Sequence, residues 1–352
     1  MPHPLRSDLA SSRRAFLRYS SLAIATMLTS VSCRRQAELA QSSTSQAQAL
    51  RLGFNLWPGF MPWQVAQEKK LFQSNNVNVE ITWFPVLSDQ LTAFNTGKVD
   101  VAGVTMGDFL TAVSNSVKAK VISVIDISLG ADAIVVAPVI DSIKQFSGKS
   151  ASVEIGTVGH LLFLKALEQA GVSQNEVQII NQASDAAIAA LIAGKAEIAY
   201  SYEPFVTQAV NSGKGKVVFS SKDVPGLVPD LMVVHQDVLE RQPEAVQNLL
   251  EVWYQTLNYR SNHLAEALPI EAKQAGVSVE EYQNLLRGFQ WLTPQQAIAT
   301  FQPGKTTQSL IYTAKEVSDF MLKQKLLTKE PPLFAELIED RFLKNYLASV
   351  AS

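Results

Sequence analysis

Apolar and polar residues follow two different periods along residues 50–235, and the two periods alternate. The segment "VNVEITWF" (77–84) changes character at every second residue, which predicts a strand, whereas "MPWQVAQEKKLF" (61–72) places its apolar residues at helical spacing. Similar short strands and helices follow one another up to residue 235, and the chain from 237 onward is predicted to be nearly all helical. Strands that alternate with helices indicate parallel βαβ units, so the pattern predicts an α/β fold.

One phrase of this pattern occurs twice. "GKVDVAGVTMGDF" (97–109) and "GKAEIAYSYEPF" (194–205) each follow a predicted helix, continue as a strand and end in an abrupt loop. The shared part is typical of a scaffold. The divergent ends lie at the carboxyl ends of strands, where open α/β sheets bind ligands. The repeat therefore predicts two similar lobes, each of which contributes one loop to a shared cleft.

Two short apolar strands, "AIVVAP" (133–138) and "LMVVHQ" (231–236), lie about one lobe apart. We expect them to be the two crossovers and to form a hinge about which the cleft closes. This gives a lobe 1 of residues 50–136 plus 234–352 and a lobe 2 of residues 137–233. The helices beyond residue 260 are expected to support lobe 1.

The first residues predict export. "SRRAFLR" (12–18) resembles a twin-arginine signal, and the apolar stretch that follows is far shorter than the roughly 20 residues of a membrane span. Residues 1–32 are therefore interpreted as a signal peptide. "VSC" (31–33) resembles a lipoprotein box, so we predict lipidation of Cys33 and anchoring to a bacterial membrane; the alternative is simple cleavage and release of a soluble protein. Residues 33–49 are polar and of low complexity, which predicts a flexible tether.

Composition and charge argue against several classes of function. The net charge is −2 without a basic stripe, so we expect no nucleic-acid partner. The four histidines are scattered and there is one cysteine, which argues against a metal site. "GKS" (148–150) and "GKT" (304–306) lack the first glycine of a phosphate-binding loop. We therefore predict neither a cofactor nor an enzymatic activity.

Several segments, in their order and spacing, resemble the periplasmic solute-binding proteins of ABC importers for nitrate, sulfonate, taurine or bicarbonate, the NMT1-like family. The resemblance covers about residues 50–260 and depends chiefly on "LGFNLWPGFMPWQVAQEKKLF", "SDQLTAFNTGKVDVAGVTMGDFL", "VEIGTVGHLLFLKALEQAGV" and "YEPF". It implies a two-lobed periplasmic-binding-protein fold, type II-like, with a solute bound in the cleft. It also implies a periplasmic location and delivery of the solute to ABC permease and ATPase subunits. We expect a monomer.

The segments predicted to face the cleft contain neither lysine nor arginine, but they contain carboxylates and aromatic rings. The predicted ligand-binding residues are Trp57, Asp89, Thr105, Asp108, Asp132, Glu154, Thr157, Tyr202 and Glu203. A further acid, Asp230, is assigned to a loop or hinge. Carboxylates beside ring faces suit a small cation, and a planar guanidinium forms paired hydrogen bonds to a carboxylate. Guanidine is therefore the favoured ligand.

Two alternatives stay open at this point. Helix N-termini predicted near Ser88 and Thr157 carry partial positive charge, which would suit a small oxyanion such as an aliphatic sulfonate, taurine, nitrate or bicarbonate. Under that interpretation, acids such as Asp89 and Asp108 only cap helices. A pyrimidine-type heterocycle is the remaining alternative.

Overall fold

The computed structural model describes residues 48–351, in which two β-sheets are each surrounded by helices. The predicted signal peptide, Cys33 and all but the last two residues of the predicted tether lie outside the described residues. The first sheet contains β1 (Leu50–Asn55), β2 (Val79–Phe84), β3 (Val101–Thr105), β4 (Ala119–Ser128), β10 (Pro229–His235) and β11 (Phe289–Trp291). The second contains β5 (Asp132–Val136), β6 (Ser150–Val153), β7 (Gln178–Asn181), β8 (Ile198–Tyr202) and β9 (Lys216–Ser220). We call the first sheet with its helices lobe 1 and the second lobe 2.

The α-helices of the described part fall mainly between the strands and after β10. Those up to β9 are α1 (Pro62–Glu68), α2 (Leu71–Ser74), α3 (Leu87–Asn95), α4 (Met106–Ser114), α5 (Val158–Ala170), α6 (Ser184–Ile192) and α7 (Phe205–Asn211). Those after β10 are α8 (Gln236–Arg241), α9 (Pro243–Asn262), α10 (Leu264–Ala275), α11 (Val279–Leu285), α12 (Pro294–Thr300), α13 (Leu310–Lys323), α14 (Phe334–Leu337) and α15 (Arg341–Ala351). None of the helices within residues 48–351 is both long and apolar enough to cross a membrane.

The two sheets repeat one topology. Lobe 1 has the order β11-β4-β10-β3-β1-β2 and lobe 2 the order β7-β6-β8-β5-β9. In lobe 1, β1 is parallel to β2 and β3, and β10 is antiparallel to β3 and β4. In lobe 2, β6 is parallel to β7 and β8, and β5 is antiparallel to β8 and β9. The repeated phrase of the sequence forms β3 and β8, which hold equivalent positions.

The repeated acidic residue has an equivalent role in both lobes. Asp100, just before β3, accepts hydrogen bonds from the backbone N and the guanidinium of Arg51, at 2.6 to 2.9 Å. Glu197, just before β8, pairs with Lys149 at 3.0 Å. Each ion pair joins the repeated strand to the start of its parallel neighbour, so this part of the repeat belongs to the scaffold.

The two apolar strands that were expected to cross between lobes each lie within one sheet. β5 pairs with β8 and β9 and all its residues are buried, and β10 pairs with β3 and β4 along its length. The chain therefore passes between the lobes at 129–131 and 221–228, before the expected boundaries at 136/137 and 233/234. Apolar runs of this kind arise because a central strand has partners at both edges and helices on both faces.

A buried ion pair stabilises the helical part that follows β10. Arg260 of α9 donates from Nε to Glu271 of α10 at 2.7 Å, and its guanidinium lies 4.3 Å from the ring centre of Trp291. The Glu271 side chain is fully buried. Burial, only partly offset by Arg260, raises the pKa of Glu271 to about 7. Either partner alone would be a charge without compensation in the interior.

We predict that Arg260→Ala lowers the free energy of unfolding by about 3–5 kcal/mol, because it leaves Glu271 buried and unpaired. Arg241→Ala is the matched control, since Arg241 pairs with Asp237 on the surface and such pairs contribute about 0–1 kcal/mol. Urea unfolding measures both. Equal effects of the two substitutions would contradict the structural role of the buried pair.

Candidate functional site

A small cavity lies where the two lobes meet, at the carboxyl ends of β1, β3 and β8. Its volume of about 20 Å³ is room for little more than one water molecule. The residues that line it come from both lobes: Asn55, Trp57, Phe60, Leu87, Gly103, Val104, Thr105, Asp132, Val158, Tyr202 and Asp230. The position is the one that open α/β sheets use for ligands. A solute larger than water requires the lobes or the side chains to move.

Two aspartates of lobe 1 share a hydrogen bond beside the cavity. Asp126 on β4 and Asp230 on β10 are directly opposed in the sheet, and their carboxyl groups hydrogen-bond each other. The indole Nε1 of Trp57 donates to both oxygens of Asp126, at 3.2 and 3.1 Å. Burial raises the pKa of Asp126 to about 7, and burial together with the Asp126 charge raises the pKa of Asp230. The pair therefore holds a proton near neutral pH.

A third aspartate faces the cavity from lobe 2. Asp132, at the start of β5, is 4% exposed and accepts hydrogen bonds from the Tyr200 hydroxyl and from Ser128. Burial raises the pKa of Asp132, and these two donors counteract the rise. Its carboxyl group is thus fixed in orientation by neighbours that do not line the cavity.

Aromatic rings from both lobes meet at the same place. Trp57 of lobe 1 and Tyr202 of lobe 2 contact each other edge to face, with ring centres 6.2 Å apart. Trp57 also packs against Phe289 at 5.4 Å, and its backbone N donates to the side chain of Asn55 at 3.0 Å. The indole is therefore held at the cavity by contacts on several sides.

Two further carboxylates connect the lobes in opposite directions. Asp108, on α4 of lobe 1, accepts from the backbone N of Val158 at the first turn of α5 in lobe 2, at 3.1 Å. Glu154, after β6 of lobe 2, accepts from the backbone N of Ser88 at the first turn of α3 in lobe 1, at 3.0 Å. We call these two hydrogen bonds the interlobe caps. Each satisfies a helix N-terminus of one lobe with a carboxylate of the other.

The two interlobe caps differ in how fully their carboxylates are bonded. Asp108 also accepts from the Thr105 hydroxyl at 2.7 Å, whereas the second oxygen of Glu154 is buried without a hydrogen-bond partner among the described residues. Burial raises the pKa of Asp108 to about 7, and the nearby Glu154 adds to the rise. The negative charge of the cleft is therefore only partly compensated.

The structure brings together most of the residues predicted from the sequence. Trp57, Thr105, Asp132 and Tyr202 line the cavity. Asp108, Glu154 and Thr157 are buried without lining it. Thr157 is the N-cap of α5, where its hydroxyl accepts from the backbone N of Gly159 at 3.2 Å.

Two predicted ligand residues, Asp89 and Glu203, lie elsewhere. Asp89 is exposed in the first turn of α3, where a carboxylate only complements the helix dipole. Glu203 turns toward α7 and accepts from the backbone N and hydroxyl of Thr207, at 3.0 and 2.9 Å. Trp63 stacks on Phe54 in the core.

Sequence reasoning missed two of the aspartates. Asp230 was assigned to a loop or hinge, but it is a strand residue that lines the cavity, and Asp126 was not considered. A signal was available for Asp126, because it is an acid near the end of the apolar strand "VISVIDIS". An acid in a central strand must be buried, and burial of a carboxyl group needs a partner.

Basic side chains do not neutralise these acids from within the cavity. Of the described residues that line it, Asp132 and Asp230 carry carboxyl groups and none is a lysine, an arginine or a histidine. The buried Arg260 does not line the cavity and forms an ion pair with Glu271. Within residues 48–351, no group of three or more histidine, cysteine, aspartate or glutamate residues could hold a metal ion. The arrangement is suited to a small solute that brings positive charge or hydrogen-bond donors.

The comparisons with known proteins agree with this architecture. Residues 43–268 match the model of the NMT1-like family. The taurine-binding periplasmic protein of Escherichia coli (strain K12) is 25% identical over 314 residues, which cover 85% of this chain and 94% of that protein. The alkanesulfonate-binding protein SsuA from Xanthomonas axonopodis pv. citri, solved with MOPS bound, has a TM-score of 0.70 at 17% identity and covers 83% of this chain and 98% of its own.

A second solved structure supports the same fold. The periplasmic nitrate-binding protein NrtA from Synechocystis PCC 6803 has a TM-score of 0.69 at 12% identity and covers 86% of this chain and 89% of its own. At this level of identity the likeness shows the fold alone. The chain thus has the predicted α/β periplasmic-binding-protein fold.

Gly159, near the start of α5, leaves room for the Tyr200 ring, whose hydroxyl donates a hydrogen bond to Asp132. A Cβ atom at Gly159 would lie 2.3 Å from ring atoms of Tyr200, whose hydroxyl orients Asp132. Gly107 occupies the same helix position in α4, but there the nearest atom is the end of the Leu161 side chain at 3.3 Å. The first glycine is required by close packing, and the second is not.

We predict that Gly159→Ala lowers the free energy of unfolding by about 1–3 kcal/mol, because it forces the buried Tyr200 ring to shift. Gly107→Ala is the matched control and should change stability by less than about 1 kcal/mol, since alanine also favours the helix. Thermal and urea unfolding compare the two variants. A neutral Gly159→Ala would contradict the tight contact with Tyr200.

Proposed function

The chain belongs to the NMT1-like family, and from that membership we propose that it is the solute-binding component of an ABC importer. It works in the periplasm, as a monomer, and delivers its solute to permease and ATPase subunits. Binding proteins for taurine, alkanesulfonates and nitrate among the similar proteins support this proposal. Anchoring through a lipid on Cys33 is part of the proposal.

We propose further that the solute is a small organic cation, with guanidinium as the leading candidate. The observation that supports this choice is the lining of the cavity, in which carboxyl groups from both lobes face a site without a basic side chain among its described residues. Buried carboxylates need a positive partner, and Asp132 of lobe 2 and Asp230 of lobe 1 each present a carboxyl group to the cavity.

Guanidinium matches the chemistry of these residues. It presents N–H donors in one plane, which pair with carboxylate oxygens at fixed angles. Its faces are attracted to aromatic rings, and Trp57 and Tyr202 lie at the cavity. Binding of the cation would replace the proton that Asp126 and Asp230 share.

A small oxyanion is the second candidate. The names of the similar proteins favour it, since they refer to taurine, alkanesulfonates and nitrate. Helix N-termini are the usual sites for such anions. In this chain, however, backbone N–H groups of α3 and α5 already donate to Glu154 and Asp108. The contacts in the cleft therefore favour the cation, although the relatives favour the anion.

We predict that millimolar guanidinium raises the melting temperature of the mature domain, whereas taurine and nitrate do not, because a ligand stabilises the state that binds it. Asp230→Asn should weaken guanidinium binding by about 1–3 kcal/mol, since it removes a charged acceptor but still hydrogen-bonds Asp126. Calorimetric titration measures the affinities.

Two controls accompany this titration. Urea has a similar shape without the charge and should not bind. Asp319→Asn removes a carboxylate on the exposed face of α13 and should leave the affinity unchanged. Binding of taurine or nitrate without binding of guanidinium would reverse the choice of ligand and retain the transport function.

The pH dependence separates the two candidates. The pKa values of Asp126 and Asp108, both raised to about 7, mean that the folded protein binds protons that the unfolded chain releases above about pH 4. Their contribution to stability is present at acid pH and is lost as the pH rises to about 7. A cation favours the ionised carboxylates, so its affinity should rise with pH, by up to about tenfold per unit for each released proton.

Titrations at pH 5, 6, 7 and 8 test this expectation. An oxyanion would show the opposite trend, because it binds better to protonated carboxyl groups. An affinity for guanidinium that is constant over this range would contradict a role for the aspartate pair in binding.

A further inference from the structure

The interlobe caps occupy the positions at which this cleft would otherwise hold an anion. The backbone N of Ser88 is in the first turn of α3 and that of Val158 is in the first turn of α5, and the two helices have nine and thirteen residues. Free N–H groups at such helix starts, together with the helix dipole, bind sulfate-like groups and carboxylates. Here each N–H donates to a carboxylate of the opposite lobe.

The backbone N–H groups in the first turn of α5 already donate hydrogen bonds within the protein. Val158 donates to Asp108, Gly159 donates to the hydroxyl of Thr157, and His160 donates to the backbone oxygen of Thr157 at 3.0 Å. A solute oxyanion would have to displace Asp108 to reach these groups. Such a displacement would leave a carboxylate in the interior, which is costly.

In the cap on α3, only one oxygen of the Glu154 carboxylate has a hydrogen-bond donor among the described residues. One oxygen of Glu154 accepts from Ser88, and the other is buried with no hydrogen-bond partner among the described residues, in a side chain that is 4% exposed. The carboxylate of Glu154 is close enough to Asp108 and Tyr202 to raise the pKa of both groups. An uncompensated negative charge at this place repels a second anion and attracts a cation.

We propose that Asp108 and Glu154 determine the sign of the ligand charge: they act as internal anions that exclude oxyanions from the cleft. This inference rests on the proposed function, because it explains how a solute-binding protein of this family would select a cation. Neither residue needs to touch the solute, since each acts by occupying a helix N-terminus that would otherwise bind an oxyanion.

The test is to remove one internal anion and compare two ligands. Glu154→Ala frees the backbone N of Ser88 and removes the unpaired charge, so we expect the affinity for taurine to rise at least tenfold and that for guanidinium to fall. Asp108→Ala, which frees Val158, should give the same crossed change. Calorimetric titration of the mature domain with each ligand at pH 7.5 measures both affinities.

Glu280→Ala is the matched control, because it removes an exposed carboxylate from the first turn of α11, outside the cavity. It should change neither affinity. A variant of Glu154 or Asp108 that is merely destabilised would bind both ligands less well, and that result would overturn the inference. Wild-type protein that binds guanidinium, combined with variants that gain no taurine affinity, would overturn the inference and leave the proposed function intact. Wild-type protein that binds taurine tightly would overturn both the choice of ligand and the exclusion of oxyanions.

Discussion

The cleft depends on two hydrogen bonds that cross it in opposite directions. Asp108 of lobe 1 accepts from α5 of lobe 2, and Glu154 of lobe 2 accepts from α3 of lobe 1. Each bond satisfies a helix terminus and a buried carboxylate at once, so neither group is stable in its present place unless the lobes are together. The closed arrangement of the lobes is thus coupled to the charge of the cleft.

That coupling is the basis of our proposal that the solute of this chain differs in charge from those named for the similar proteins. The fold is shared with binding proteins for sulfonates and nitrate, yet a fold does not fix the ligand, which is chosen by the side chains at the site. In this chain, three buried aspartates lie near Trp57: Asp126, Asp132 and Asp230. Their pKa values are raised because burial disfavours the charged form of a carboxyl group. A cation bound among these carboxylates would offset the free-energy cost of burying their charge, whereas an anion would increase that cost.

The sequence was sufficient for the fold but only for part of the site. The repeated phrase predicted two lobes correctly, because "GKVDVAGV" and "GKAEIAYS" form equivalent strands with equivalent ion pairs. It could not show that β5 and β10 lie inside the sheets, since an apolar run looks the same in a crossover. It also could not show which groups the carboxylates bind. Glu203 accepts a hydrogen bond from the helix that follows it, whereas Glu154 accepts one from the other lobe. Such choices depend on contacts between distant segments.

A crystal structure of the mature domain grown with both guanidinium and taurine tests the central claim most directly. We expect guanidinium between Asp132 and Asp230, within hydrogen-bond distance of both, while Glu154 and Asp108 still accept from Ser88 and Val158. A taurine sulfonate bound to those two backbone N–H groups, with the carboxylates turned away, would contradict the claim.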